Sequence, residues 1–523
     1  MPEPIDNSRP IVDKPIGLSS VDTGTLIGLQ PTAIRVEVCC SRGPAFFQMV
    51  GLAQTPVREA RVRVTSALAR LGVLLDEYAI TVNLAPAAVR KSDAALDLAI
   101  AVGVLGAIGR LQAERLESVL LLGELSLDGG LQPVRGILPQ LCGARERGMR
   151  QAIVPRANAR EAGLVEGIEA LLAESLADVV RHLELRESLQ KAPRTPFQPE
   201  RRQGAIDLCD VRGQATARRA LEIAAAGGHN LLMLGPPGAG KTMLARRLPT
   251  ILPLLSYAEA LETTAIHSVA GLIDPARGVV CERPFRAPHH TITEQGLVGG
   301  GDSPRPGEIS LSHNGVLFLD ELLEYQRRVL DVLRQPLEDG NVTIARARGS
   351  AEFPARTLLV GAMNPCPCGY WGHPERRCRC SEAQRLRYRS RLSGPLLDRL
   401  DVHVTLPPVE LVDLQRQAPG ESSLVVRERV DRARRVQLER FEQGESSART
   451  NSRLAPRELD RTPLEREARA LMDRAVGRLG LSARAYGKVL CVARTIADLE
   501  SESQVKDRHI AEALHCRLLD HAL

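Results

Sequence analysis

Short apolar runs that stop abruptly at polar residues dominate the middle of the chain. Asn230–Leu234, Val316–Leu319 and Leu358–Met363 are nearly unbroken runs of apolar residues, as strands covered on both faces are. They open into the loop Gly235–Thr242, the acid pair Asp320–Glu321 and the amide Asn364. Val402–Leu406 predicts a fourth strand, and Pro407–Pro408 closes the segment. With a helix before the first strand and another after its glycine loop, this order predicts an α/β nucleotide-binding core over residues 207–408.

Other patterns flank this core. Ile34–Val38 and Tyr78–Val82 are rich in β-branched residues and predict strands. Pro56–Leu71 has helical spacing and ends at Gly72; Asp93–Ile108 is an apolar helix, and Ser118–Leu122 a further strand. A compact α/β domain is therefore expected over residues 21–186. Residues 1–20 carry four prolines and no apolar stretch, which predicts a disordered tail. Residues 187–206 are polar, proline-containing and aperiodic, which predicts a linker. Ser423–Glu442, Pro463–Leu479, Ser482–Leu499 and Lys506–Leu519 are helical patterns, so a helical domain is expected over residues 409–523.

A chain of 523 residues exceeds one ordinary domain. No run of about 18 uncharged apolar residues occurs, so no membrane span is expected. The N-terminus lacks the apolar region of a signal peptide, and eleven cysteines form no disulfide pattern; both favour a reducing cytoplasm. Sixty-nine basic residues nearly balance 63 acidic ones, so overall charge says little about a polyanion partner. Local clustering says more: Arg376–Arg399 holds eight arginines against Glu382 and Asp398. Aromatic residues make up 3%, too few for a platform that stacks single-stranded bases.

Gly235-Pro236-Pro237-Gly238-Ala239-Gly240-Lys241-Thr242 matches G-x-x-x-x-G-K-T in full. Its glycines let backbone N–H groups curl around phosphates, Lys241 reaches the β and γ oxygens, and the Thr242 hydroxyl suits Mg²⁺. A plain glycine turn would need neither the strand before nor the helix after. Asp320 would hold the Mg²⁺ shell and Glu321 would polarise the attacking water; the alternative is an acidic helix cap. Asn364 can orient that water, or simply form a turn before Pro365. Arg399, just ahead of a strand, suits either a finger reaching a neighbouring subunit's γ-phosphate or a surface ion pair.

Two further features await a role. Cys366, Cys368, Cys378 and Cys380 form C-x-C-x₉-C-x-C; four thiolates on one loop can close a Zn²⁺ site, with His373 a substitute ligand and free thiols the alternative. Asn341–Arg356 predicts two strands around a basic turn with Arg346 and Arg348, and the Arg286–Gly301 segment is long enough for an insertion. Both are candidate DNA-gripping loops, with Arg286 named in the second; solvated loops or subunit contacts are the plainer reading.

Arg283–His290, Leu297–Gly301, Pro306–Ile309, His313–Glu321, Met363–Gly369 and Ser393–Asp401 together resemble the magnesium-chelatase-like YifB/ComM family of AAA+ proteins over nearly the full length. The resemblance implies a P-loop AAA+ parallel-sheet core with an α-helical lid, preceded by a Lon-protease-like domain of the ribosomal S5 type. It implies an ATP- and Mg²⁺-dependent homohexamer, with members acting on branched or double-stranded DNA as branch-migration helicases in natural transformation, alongside recombination proteins. It further implies Asn364 as sensor 1, Arg399 as the trans finger, and a lid arginine, Arg484 or failing that Arg494, as sensor 2. In the Lon-like match the nucleophile and base positions fall on Ala95 and Gln140, with Ser92 nearby. Without a hydroxyl and an amine no Ser–Lys hydrolysis can run, so a scaffold is expected there. The other reading is a remodelling ATPase acting on a protein partner, like the motor subunit of magnesium chelatase.

Overall fold

The computed structural model describes residues 17–52, 54–91, 94–199, 206–301, 304–346, 349–408 and 420–517. Two compact units emerge. One holds the described residues up to Phe197 together with His267–Val280; the other holds Gln198–Ile266 and Cys281 onward. The expected division at 207 therefore misses an excursion, because fourteen residues from within the predicted core pack with the N-terminal unit.

The first unit is built on an eight-stranded sheet. Its strands are β1 (Gly17–Ile27), β2 (Gln30–Arg42), β3 (Phe46–Val50), β4 (Tyr78–Ala85), β5 (Val119–Leu121), β8 (Gln151–Pro155), β9 (Glu169–Ala173) and β10 (Gln190–Lys191), in the order β10-β9-β8-β5-β1-β2-β4-β3; β6 (Glu124–Leu125) and β7 (Leu131–Gln132) form a separate small hairpin. Strand β2 shows why it belongs there: Ile34, Val36, Val38 and Cys40 are buried while alternate residues face outward. The predicted tail is corrected at its end, because β1 begins at Gly17 and pairs Val21 with Val36. Its Gly-Leu-Ser-Ser start carries little apolar signal. The predicted linker also yields two residues, Gln190–Lys191, as an edge strand against β9.

The second unit carries five parallel strands, β11 (Leu231–Leu234), β12 (Phe285–Arg286), β15 (Val316–Leu319), β18 (Leu358–Met363) and β19 (Val402–Thr405), in the order β12-β15-β18-β11-β19. Two hairpins complete it: β13 (Gly299–Gly300) with β14 (Arg305–Pro306), and β16 (Asn341–Arg346) with β17 (Gly349–Pro354). Every residue of β11, β15 and β18 is buried, as their unalternating sequences require. Helices Ser423–Glu442, Arg466–Leu479, Ala483–Leu499 and Asp507–His515 form the C-terminal part. They share one apolar core with the sheet, in which Val430, Val492 and Ile496 join Met233 and Val404.

Candidate functional site

Strand register brings the predicted chemistry to one edge. Leu234 pairs with Met363 and Leu319 with Gly361, so Gly235, Asn364 and Asp320 leave adjacent strands at their C-terminal ends, where open α/β sheets bind ligands. Gly238 and Gly240 adopt φ of 80° and 86°, a region that a side chain would strain. The helix Lys241–Ile251 starts directly after this loop, directing its N-terminal N–H groups and positive dipole end at the site.

Lys241 is largely buried, and its ammonium donates to Gly235 O at 2.6 Å, Pro236 O at 3.0 Å and Asn364 Oδ1 at 3.1 Å. Burial pushes its pKa down, and the nearby Asp320 and Glu321 charges oppose that shift. The Thr242 hydroxyl donates to Asp320 Oδ2 at 2.6 Å, while Asp320 Oδ1 accepts from the Glu321 N–H at 2.9 Å. Glu321 sits at φ 51°, a left-handed conformation costly for a non-glycine residue, and its carboxylate lies 3.2 Å from His290 Nδ1. His290 comes from the segment after β12, lies against the His289 ring at a tilt of 33° and meets Tyr325 edge-on.

Behind the loop, Asn230 ties three strands together. Its Oδ1 accepts from Leu359 N at 2.9 Å, its Nδ2 donates to Arg399 O at 2.9 Å, and its N–H donates to Asp401 Oδ2 at 3.2 Å. Asp401 is buried and also meets Lys488 at 2.7 Å and His229 at 3.5 Å. Burial would raise its pKa, but Lys488 and His229 outweigh burial and hold it at about 2.

Arg399 donates to Arg334 O at 3.0 Å, to Pro395 O at 2.7 Å and to Glu338. Arg484 meets the same Glu338 at 3.4 Å and Asp398 at 3.5 Å. The predicted finger and the predicted sensor thus share one carboxylate. Arg494 stands elsewhere: buried, it is held by Asp498 Oδ1 at 2.8 Å and by the backbone oxygens of Ser503 and Glu502, which leaves it a structural role.

The four cysteines converge, their ligand atoms lying within 4.8 Å of one another. His373 instead accepts the N–H groups of Glu375 and Arg376, each at 3.1 Å. Arg286 is gripped by Glu308 at 2.6 and 2.7 Å, a bidentate pair that fastens its segment rather than freeing a guanidinium for DNA. Arg346 ends β16, and Arg348 lies outside the described residues. A Cβ on Gly299 would stand 2.8 Å from Ile344 Cδ1, so the two hairpins pack together.

In the N-terminal unit Ala95 is fully buried in a 3₁₀ turn. Gln140 is buried with neither side-chain amide atom hydrogen-bonded. Lys91, also buried, donates to Gly51 O at 2.9 Å and to Pro86 O; Ser92 lies outside the described residues. No described helix is long and apolar enough to cross a membrane. Sequence reasoning missed His290, Glu338 and Lys488, because each acts through a partner distant along the chain; only the repeated histidine of Pro288-His289-His290 hinted at one of them.

Comparison with known proteins agrees with this architecture. Residues 207–414 match the family described as "Magnesium chelatase, subunit ChlI", residues 36–158 "Subunit ChlI of Mg-chelatase", and residues 420–517 "Magnesium chelatase, subunit ChlI C-terminal". The chain is 43% identical to "Competence protein ComM" of Haemophilus influenzae over 511 residues, covering 96% of this chain and 98% of that one. It is also 43% identical to YifB of Escherichia coli over 510 residues, covering 97% and 98%. A shorter match, 28% identical over 201 residues, covers 33% of this chain and 35% of Lon protease 2 of Bacillus subtilis. With two such relatives matched nearly end to end, and the P-loop, acid pair and Asn364 amide meeting at one sheet edge, the chain belongs to the YifB/ComM family of magnesium-chelatase-like AAA+ ATPases.

Proposed function

We propose that the protein is an ATP-driven hexameric DNA motor, a branch-migration helicase that acts on recombination intermediates during natural transformation. The convergence of Lys241, Thr242, Asp320 and Asn364 at one sheet edge carries the ATPase part of this reading. Lys241, now hydrogen-bonded to two backbone oxygens and an amide oxygen, exchanges these for phosphate oxygens when ATP enters. The Thr242 hydroxyl and Asp320 carboxylate form an oxygen-only donor set that fits Mg²⁺ and would hold it. Held there, Mg²⁺ would neutralise charge on the bound phosphates. Glu321 polarises the attacking water and Asn364 orients it against the γ-phosphate.

Arg399 and Arg484 share Glu338 and so are offered together. We assign both to the γ-phosphate of a neighbouring copy, which makes each site the joint property of two subunits. The DNA part of the reading is supported by the competence name of one relative and by the basic hairpin β16–β17. Backbone-directed arginines such as Arg346 and Arg348 suit salt-sensitive, sequence-tolerant gripping.

The test is four-way-junction branch migration by the purified protein with and without ATP. ATP-dependent conversion of junctions is expected. Vigorous ATP hydrolysis without junction movement or DNA stimulation would overturn the DNA reading. It would favour the second reading, a remodelling ATPase acting on a protein partner, to which the three magnesium chelatase matches lend weight.

A further inference from the structure

We propose that Cys366, Cys368, Cys378 and Cys380 bind one Zn²⁺ as a structural site, and that this metal fixes the P-loop and the sensor amide in register. The sulfur geometry is the first support. Cys366 Sγ lies 3.4 Å from Cys368 Sγ and 3.7 Å from Cys378 Sγ, and Cys368 Sγ lies 3.6 Å from Cys378 Sγ. A regular tetrahedron with Zn–S bonds of about 2.3 Å has edges of about 3.8 Å. All four ligand atoms lie within 4.8 Å of one another, a cage with room for one ion at its centre but not for an iron–sulfur cluster, whose iron atoms hold the cysteine sulfurs farther apart.

The surroundings are built for a charged centre. Trp371 N–H donates to Cys366 Sγ at 3.3 Å and Cys380 N–H to Cys378 Sγ at 3.4 Å, the outer-shell bonds that steady metal thiolates. Four thiolates around Zn²⁺ leave a net charge of minus two, and Arg376, Arg377, Arg379, Arg385 and Arg389 lie on the loop and the helix after it. Arg389 stacks over Trp371 at 4.4 Å and Arg385 at 5.6 Å. Residues 364–381 contain no helix or strand, so a metal would supply the fixed shape that a loop without its own core lacks.

The loop touches the nucleotide machinery at two points. Cys366 follows Asn364, the partner of Lys241, by two residues. A Cβ on Gly369 would stand 2.6 Å from Pro237 Cδ, so the cysteine loop packs directly on the P-loop. This coupling rests on the ATPase reading; the metal site itself does not.

The test begins with metal analysis of the full chain purified without chelator. About one zinc per chain is expected, falling at least about tenfold in Cys378→Ser. Cobalt substitution should give the visible bands of a tetrahedral thiolate site, and those bands should shift when a non-hydrolysable ATP analogue binds. Lys241→Ala should keep its zinc while losing the nucleotide response, which separates the two ideas. A zinc-free wild-type chain with all four thiols reactive, or one holding iron instead, would overturn the metal site. Cobalt bands indifferent to saturating nucleotide, with Cys378→Ser binding ATP as the parent does, would overturn the coupling.

Discussion

At the scale of single residues, Glu321, which we propose polarises the attacking water, sits in a backbone conformation that resists it. Its φ of 51° is a cost of the kind that concentrates at functional sites, and it turns the carboxylate toward His290. Glu321→Gln should bind ATP normally yet hydrolyse it about 10²-fold more slowly or worse, the usual contribution of a positioned base. Single-turnover hydrolysis checks this, and a rate near the parent's would remove Glu321 from that role. His290→Ala addresses the restraint. The Glu321 side chain is half exposed, so the pair is worth about 1 kcal/mol at most, or up to about fivefold in rate. We expect DNA-independent ATP turnover to rise by that modest factor, because the carboxylate is freed to meet water; an unchanged or lower basal rate would contradict a holding role.

At the scale of elements, the strands that end in chemistry were legible because their buried runs break at polar residues. Leu358–Met363 is apolar throughout and then turns to Asn364, a contrast that survives any neighbour. What stayed hidden depended on partners far along the chain. Strand β1 begins Gly-Leu-Ser-Ser-Val-Asp and is placed by pairing with β2 on one side and β5 on the other. The packing of the cysteine loop on Pro237 likewise has no local signature. It can be tested with a matched pair of glycines, since Gly369 and Gly372 share a φ of 81° but only Gly369 abuts another residue. Either change to alanine should cost about 1 kcal/mol of stability through backbone strain. Gly369→Ala alone should also raise KM for ATP; equal KM values in the two variants would mean that the contact does not govern nucleotide binding.

At the scale of the whole molecule, acid should unfold the second unit through the junction behind the P-loop. Burial pushes the His229 imidazole below its ordinary 6.5, against the pull of Asp401. The unfolded chain therefore takes up a proton that the folded chain refuses, and stability falls as pH drops through 6.5. Asp401, held at about 2 against an ordinary 3.8, adds a second loss as pH falls from 3.8 toward 2. Thermal melts should show Tm declining from about pH 6.5 downward, more shallowly in His229→Gln between about pH 6.5 and 5; identical slopes would clear His229 of any part. For the assembled protein, Arg399→Ala and Lys241→Ala chains should each be inactive alone but recover some ATP turnover when mixed, because a mixed cleft can pair an intact P-loop with an intact arginine. No recovery in rings proven to be mixed would count against shared sites. The excursion of residues 267–280 carries a practical warning. Ser268 Oγ accepts from Gly136 N–H at 2.9 Å and donates to the buried Glu161, so a fragment ending at Phe197 would strand that carboxylate in the protein interior without its hydroxyl. A fragment meant to represent the Lon-like portion should therefore carry residues 267–280 along with it, a peptide that the chain order places in the ATPase half.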